Sequence, residues 1–137
     1  MAFTVDNNGL LIFLDRGTNA ASTRTPITKF LIGASQTTPE VTDTDLDSKV
    51  QFDGSVGYYK NFESKYPAVD TSKLEVNFKG IVADTQGNGS DLNGVGLANT
   101  DGTPLLAAHG THTAVTKTTS KRIIHLIKIK ARTSFEL

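Results

Sequence analysis

Residues 74–79 read Leu-Glu-Val-Asn-Phe-Lys, a strict alternation that gives a β-strand one dry face and one wet face. Gly80 interrupts the pattern, as a bulge or bend does, and Ile81 and Val82 resume it. Residues 123–131 form the longest strand candidate. Ile127, Ile129 and Ala131 alternate with Lys128, Lys130 and Arg132, so this half has one wet face. Ile123, Ile124, Leu126 and Ile127 make the other half apolar on both faces, and it is expected to be covered twice, by a second sheet or a second subunit. Phe30, Leu31 and Ile32 form a short buried strand ended by Gly33. Val50 and Phe52 open another strand group, continued after an Asp53-Gly54 hairpin turn by the alternating Val56, Tyr58, Lys60 and Phe62. Short apolar pieces follow at 95–98 and 105–108.

The apolar run 10–14 lies between Asn7-Asn8 and Gly17. An asparagine cap and a glycine stop predict a short helix over residues 10–15, with Leu10, Phe13 and Leu14 on one face. A strand after the Asn-Gly turn is the alternative. Residues 18–27, 34–48, 63–72 (with Pro67) and the glycine-rich 84–103 read as connections; the second has room for one helical turn. Short strands with frequent turns predict an all-β, mainly antiparallel β-sandwich with one short N-terminal helix, residues 1–137 forming one domain. The expected core is Phe30, Ile32, Val50, Phe52, Leu74, Val76, Phe78, Leu97, Leu105, Ile127 and Ile129.

Composition adds exclusions. The 137 residues are 37% hydrophobic and 20% charged, a foldable balance. Fourteen basic residues offset fourteen acidic ones, so no nucleic-acid partner is indicated by charge. Absence of cysteine excludes disulfides and leaves stability to packing or subunit contacts. Residues 10–14 are too few to span a bilayer and lack the flanks of a signal peptide, so neither membrane insertion nor the usual export route is expected. Charge is nevertheless segregated. Lys117, Lys121, Arg122, Lys128, Lys130 and Arg132 lie near the C-terminus, and Glu40, Asp43, Asp45 and Asp47 in the first half.

Asp43, Asp45 and Asp47 have the spacing that opens a calcium loop, but Ser48 and Gly54 stand where its glycine and closing glutamate belong, so a solvated turn is expected. His109 and His112 are three residues apart and would point to opposite faces of a strand, so no metal site within one chain is expected; a site shared across a symmetry axis is the alternative. His125 is expected in the core or an interface. The glycines from 87 to 96 lack the strand–loop–helix context of a phosphate cradle. No Gly-x-Ser-x-Gly elbow is present, and neither a catalytic activity nor a cofactor is expected.

Two blocks carry a resemblance. Residues 32–46 (Ile-Gly-Ala-Ser-Gln-Thr-Thr-Pro-Glu-Val-Thr-Asp-Thr-Asp-Leu) run from a strand into Gly-Thr turns, a proline and a Thr-Asp-Thr-x-Leu ending. Residues 96–107 (Gly-Leu-Ala-Asn-Thr-Asp-Gly-Thr-Pro-Leu-Leu-Ala) continue through Val115-Thr116-Lys117-Thr118-Thr119-Ser120 into the strand from Ile123. In this order and spacing they resemble the tail-collar and tail-fibre type structural proteins of tailed bacteriophages. The chain departs from that pattern at Ala98 and His109, where the family carries aromatics, and in its more basic closing strand.

The resemblance implies a virion protein assembled in the bacterial cytoplasm, a homo-oligomer whose partners are copies of itself and other virion proteins of tail, collar or capsid. Because Leu137 falls where fibre proteins continue into a shaft and tip, an adaptor role is expected over direct host contact. A capsid decoration protein is the alternative. A host-receptor or glycan-binding module, with Tyr58 and Tyr59 as stacking surfaces, is the alternative of another class. The residues expected to carry contacts are Phe3 and Leu11; Asp43, Asp45 and Asp47; and Lys121, Arg122, Ile124, Leu126, Lys128 and Lys130.

Overall fold

The computed structural model describes residues 2–99 and 106–131. It is an all-β sandwich of two antiparallel sheets with one helix. The elements are β1 (Ala2–Val5), α1 (Asn7–Thr18), β2 (Lys29–Ala34), β3 (Lys49–Val50), β4 (Lys60–Asn61), β5 (Ala68–Asp70), β6 (Glu75–Val82), β7 (Asp91–Ala98), β8 (Leu106–Thr116) and β9 (Ile123–Lys130). The larger sheet runs β1-β8-β7-β2-β3, with β4 also on β2; the smaller runs β5-β6-β9.

The interlayer core follows from strand alternation. Phe30 and Ile32 of β2, Val95 and Leu97 of β7, and Phe78 and Val82 of β6 are buried between the sheets, with Phe52 and Ile27. Val50, Val76, Ile127 and Ile129 pack against them half-buried. Two expected core positions need comment. Leu74 is 59% exposed, because a left-handed backbone (φ 52°) at its position turns it out of the pleat before β6 begins. Leu105 lies outside the described residues.

Gly80 is not a bulge. β6 pairs with β9 without a break from Glu75↔Lys130 to Val82↔Ile123. A Cβ at Gly80 would sit 2.8 Å from the Phe30 ring, so the glycine lets that ring lie on the backbone of the opposite sheet. The Asp53-Gly54 hairpin also fails. Asp53 Oδ1 accepts the N–H groups of Ser55 and Val56, and this turn competes with a strand ladder. Only Lys60 and Asn61 of the expected strand pair, and Val56 and Tyr58 stay exposed. The 63–72 connection contains a short strand, β5.

The helix is longer than expected and starts earlier. Asp6 is its N-cap, with extended φ/ψ, and Gly17 lies inside it. Leu10, Phe13 and Leu14 do share a face, but all three are exposed; the helix docks through Gly9 and Ile12. A Cβ on Gly9 would sit 2.0 Å from the Ala107 carbonyl oxygen, so only glycine permits this approach of helix to β8.

Loop 34–48 folds over the outer face of the larger sheet and is not uniformly exposed. Leu46 is buried there with Leu31, Ala98 and Leu106, and Tyr59 packs beside them. It has no helical turn.

Candidate interaction surface and histidine centres

β6 crosses β2, where Gly80 meets Phe30, and β9 faces β8, where His125 meets His112. Among the described residues, β1 and β9 are the terminal strands of their sheets on this side, and the sandwich is open between them. The groove is lined by Phe3 of β1, His112 and Val115 of β8, and residues 123–128 of β9. On the outer face of β9, Ile124 and Leu126 are 51% and 67% exposed. The double coverage expected for this half-strand is therefore absent within the described residues of one chain: Ile123 and Ile127 pack inward, and Ile124 and Leu126 face solvent.

Four of the expected contact residues, Phe3, Ile124, Leu126 and Lys128, meet at this groove. Lys128 lines it, and the Nζ atoms of Lys128 and Lys130 lie 3.8 and 4.0 Å from the buried carboxylate of Glu75. Lys121 and Arg122 are exposed on the turn before β9, Arg122 lying 3.7 Å from Asp84. Leu11 is exposed elsewhere, on α1. Lys117 does not belong to this basic face. It is fully buried, and its ammonium donates to the Asp84 and Thr118 carbonyls and to Asn88 Oδ1, holding the β6–β7 turn.

The acidic loop is not a free anionic patch. Asp45 pairs with Lys49 at 2.6 Å, Asp47 accepts from Thr37, and Asp43 reaches His109. The three carboxylates point to three different partners, which is no arrangement for calcium.

His109 and His112 do face opposite ways. His109 Nδ1 lies 2.8 and 3.0 Å from the two carboxylate oxygens of Asp6, and Nε2 lies 2.9 Å from Asp43. Asp6 is fully buried. Burial draws the His109 pKa down, but hydrogen bonds and charge from Asp6 and then Asp43 outweigh it, so the net shift is upward and the imidazolium is favoured. Burial raises Asp6 against the opposing pull of His109. The Glu40 backbone N–H and then His109 hold Asp43 below the usual carboxylate range. As the N-cap, Asp6 also sits at the positive end of the α1 dipole, which offsets the cluster's excess negative charge. With both ring nitrogens engaged by carboxylates, His109 has none free to deprotonate a nucleophile. The cluster clasps the β1–α1 junction, β8 and loop 34–48 together.

Sequence reasoning missed this clasp because Asp6, Asp43 and His109 are far apart along the chain. It also missed the contact of His112 Nε2 with His125 Nε2 at 3.3 Å. His125 is buried, as expected; desolvation and then the charge of His112 push its pKa down to about 4. Among the described residues no group of three or more His, Cys, Asp or Glu is placed to hold a metal.

No family model matches the chain, and neither does any curated protein or solved structure.

Proposed function

We propose that this protein is a structural component of a tailed-phage particle, an adaptor of the tail, collar or fibre that works by binding other virion proteins. The observation that carries the binding role is the open side of the sandwich. Among the described residues two unpaired edges, β1 and β9, flank an apolar groove, with Ile124 and Leu126 exposed beside it and Lys128 at its rim. Unpaired edges bearing apolar side chains aggregate unless a partner covers them. The occupant that fits is a neighbouring virion protein with an apolar centre and a carboxylate rim. A second copy offering its loop 40–47 fits less well, because Asp43 and Asp45 are already paired internally. The virion assignment itself rests on the two sequence blocks. Their described parts meet: Leu46 of the first shares a buried cluster with Ala98 and Leu106 of the second, and the Leu106 N–H donates to the Thr44 carbonyl. A capsid decoration role uses the same surface.

The glycan-binding alternative gains no support from the tyrosines. Tyr59 packs into the outer cluster, and Lys49 Nζ lies over both rings, 5.3 Å from Tyr58 and 5.5 Å from Tyr59.

The test is incorporation. Ile124→Asp with Leu126→Asp removes the apolar face at exposed sites, where substitutions alter stability by only about 0.5 kcal/mol each. The folded double variant is expected to be missing from purified particles. Its presence at wild-type copy number would refute the assignment of this surface.

A further inference from the structure

We propose that His112 and His125 bind one divalent transition-metal ion of the zinc type through their two Nε2 atoms, water from the groove filling the remaining positions. The two Nε2 atoms are 3.3 Å apart. Two ligands at ~2.0–2.1 Å from zinc in a tetrahedral shell are separated by roughly this distance. His112 Nδ1 lies 2.8 Å from the Thr113 carbonyl oxygen. A carbonyl only accepts, so Nδ1 carries the proton, and in the neutral ring the Nε2 lone pair faces His125. Donation of the second ring nitrogen to a carbonyl is the usual support of a metal-bound imidazole.

Among the described residues, the buried Nδ1 of His125 has no hydrogen-bond partner. With His112 neutral, the 3.3 Å contact is a hydrogen bond from His125 Nε2–H, so a metal takes the place of that proton, which moves to Nδ1 of His125. The groove gives an ion access, since both histidines line it. Imidazole donors suit zinc, nickel or copper; oxygen-seeking calcium and magnesium are not expected. His109 offers no competing site, because carboxylates occupy both of its nitrogens.

The experiment is calorimetric titration of the chelator-treated full chain with Zn²⁺ alone at neutral pH. One saturable site is expected. His112→Ala, at a half-buried position, should weaken it about tenfold or more, and His109→Gln should leave it unchanged. Long-range ¹H–¹⁵N spectra of the imidazoles should show Nε2 of His112 and His125 moving on zinc addition. Absence of saturable binding by the wild-type chain, undiminished binding by His112→Ala, or movement confined to His109 would each overturn the proposal. The His112 variant and the spectra keep the test decisive if His125 variants fail to fold.

Discussion

At the scale of single residues, the two buried histidines set opposite pH dependences. His109 is held above the ordinary 6.5 despite its burial, by Asp6 and Asp43. Its contribution to stability is present in full below the unfolded value and is lost as pH rises through the raised folded one. His125 is shifted the other way, to about 4, by burial and by His112. Its contribution is present above 6.5 and is lost as pH falls towards 4. Asp43, lowered by the Glu40 N–H and then by His109, loses its contribution as pH falls below 3.8; Asp6, raised by burial, loses its own as pH rises from 3.8 through its folded value. Thermal unfolding should therefore show a stability maximum near pH 6.5, declining on the alkaline side. His109→Gln should flatten that alkaline decline and lower stability by about 2–3 kcal/mol, because it breaks a buried charged pair. An alkaline slope equal to wild type in this variant would show that His109 is not the titrating group.

At the scale of elements, α1 provides a paired test of docking against propensity. Gly9 and Gly17 both lie in the helix, where alanine is favoured over glycine by about 1 kcal/mol. At Gly17 a Cβ meets nothing within 4 Å, and Gly17→Ala should stabilise by about 0.5 kcal/mol, the helix end retaining only part of that gain. At Gly9 the Cβ would collide with the Ala107 backbone, and Gly9→Ala should destabilise by about 1–3 kcal/mol as helix and β8 separate. Denaturant melts of the two variants should move in opposite directions; movement in the same direction would mean that helix docking does not limit stability. The same contact explains the apolar pattern of the helix. Its four exposed apolar residues, Leu10, Leu11, Phe13 and Leu14, made the helix recognisable, but the docking face is set by the residue that lets the backbone come close.

At the scale of the whole molecule, the two sheets are joined through Phe30. Its ring meets Phe52 edge-on at 5.0 Å, stacks on Phe62 at 5.9 Å, lies 6.4 Å from His125 and rests against Gly80. Phe30→Ala should cost about 3–5 kcal/mol in equilibrium unfolding, and a loss under 1 kcal/mol would place the centre of the core elsewhere. On the open side the described residues of the two sheets meet through His112 and His125, and the groove between β1 and β9 leaves apolar area for a partner.

Alternation alone determined the long strands β6 and β9, because a two-residue period is a local property that survives whatever packs on it. The apolar run 10–14 between asparagines and a glycine likewise predicted the helix. Loop-like composition did not reveal that Leu46 and Lys117 are buried, nor that Leu74 is turned outward, since burial depends on which distant surface covers a residue. The Asp6–His109–Asp43 clasp, the His112–His125 contact and the open groove exist only through the order in which strands pair. That order brings together residues 66 and 103 positions apart, and no periodicity along the chain records it.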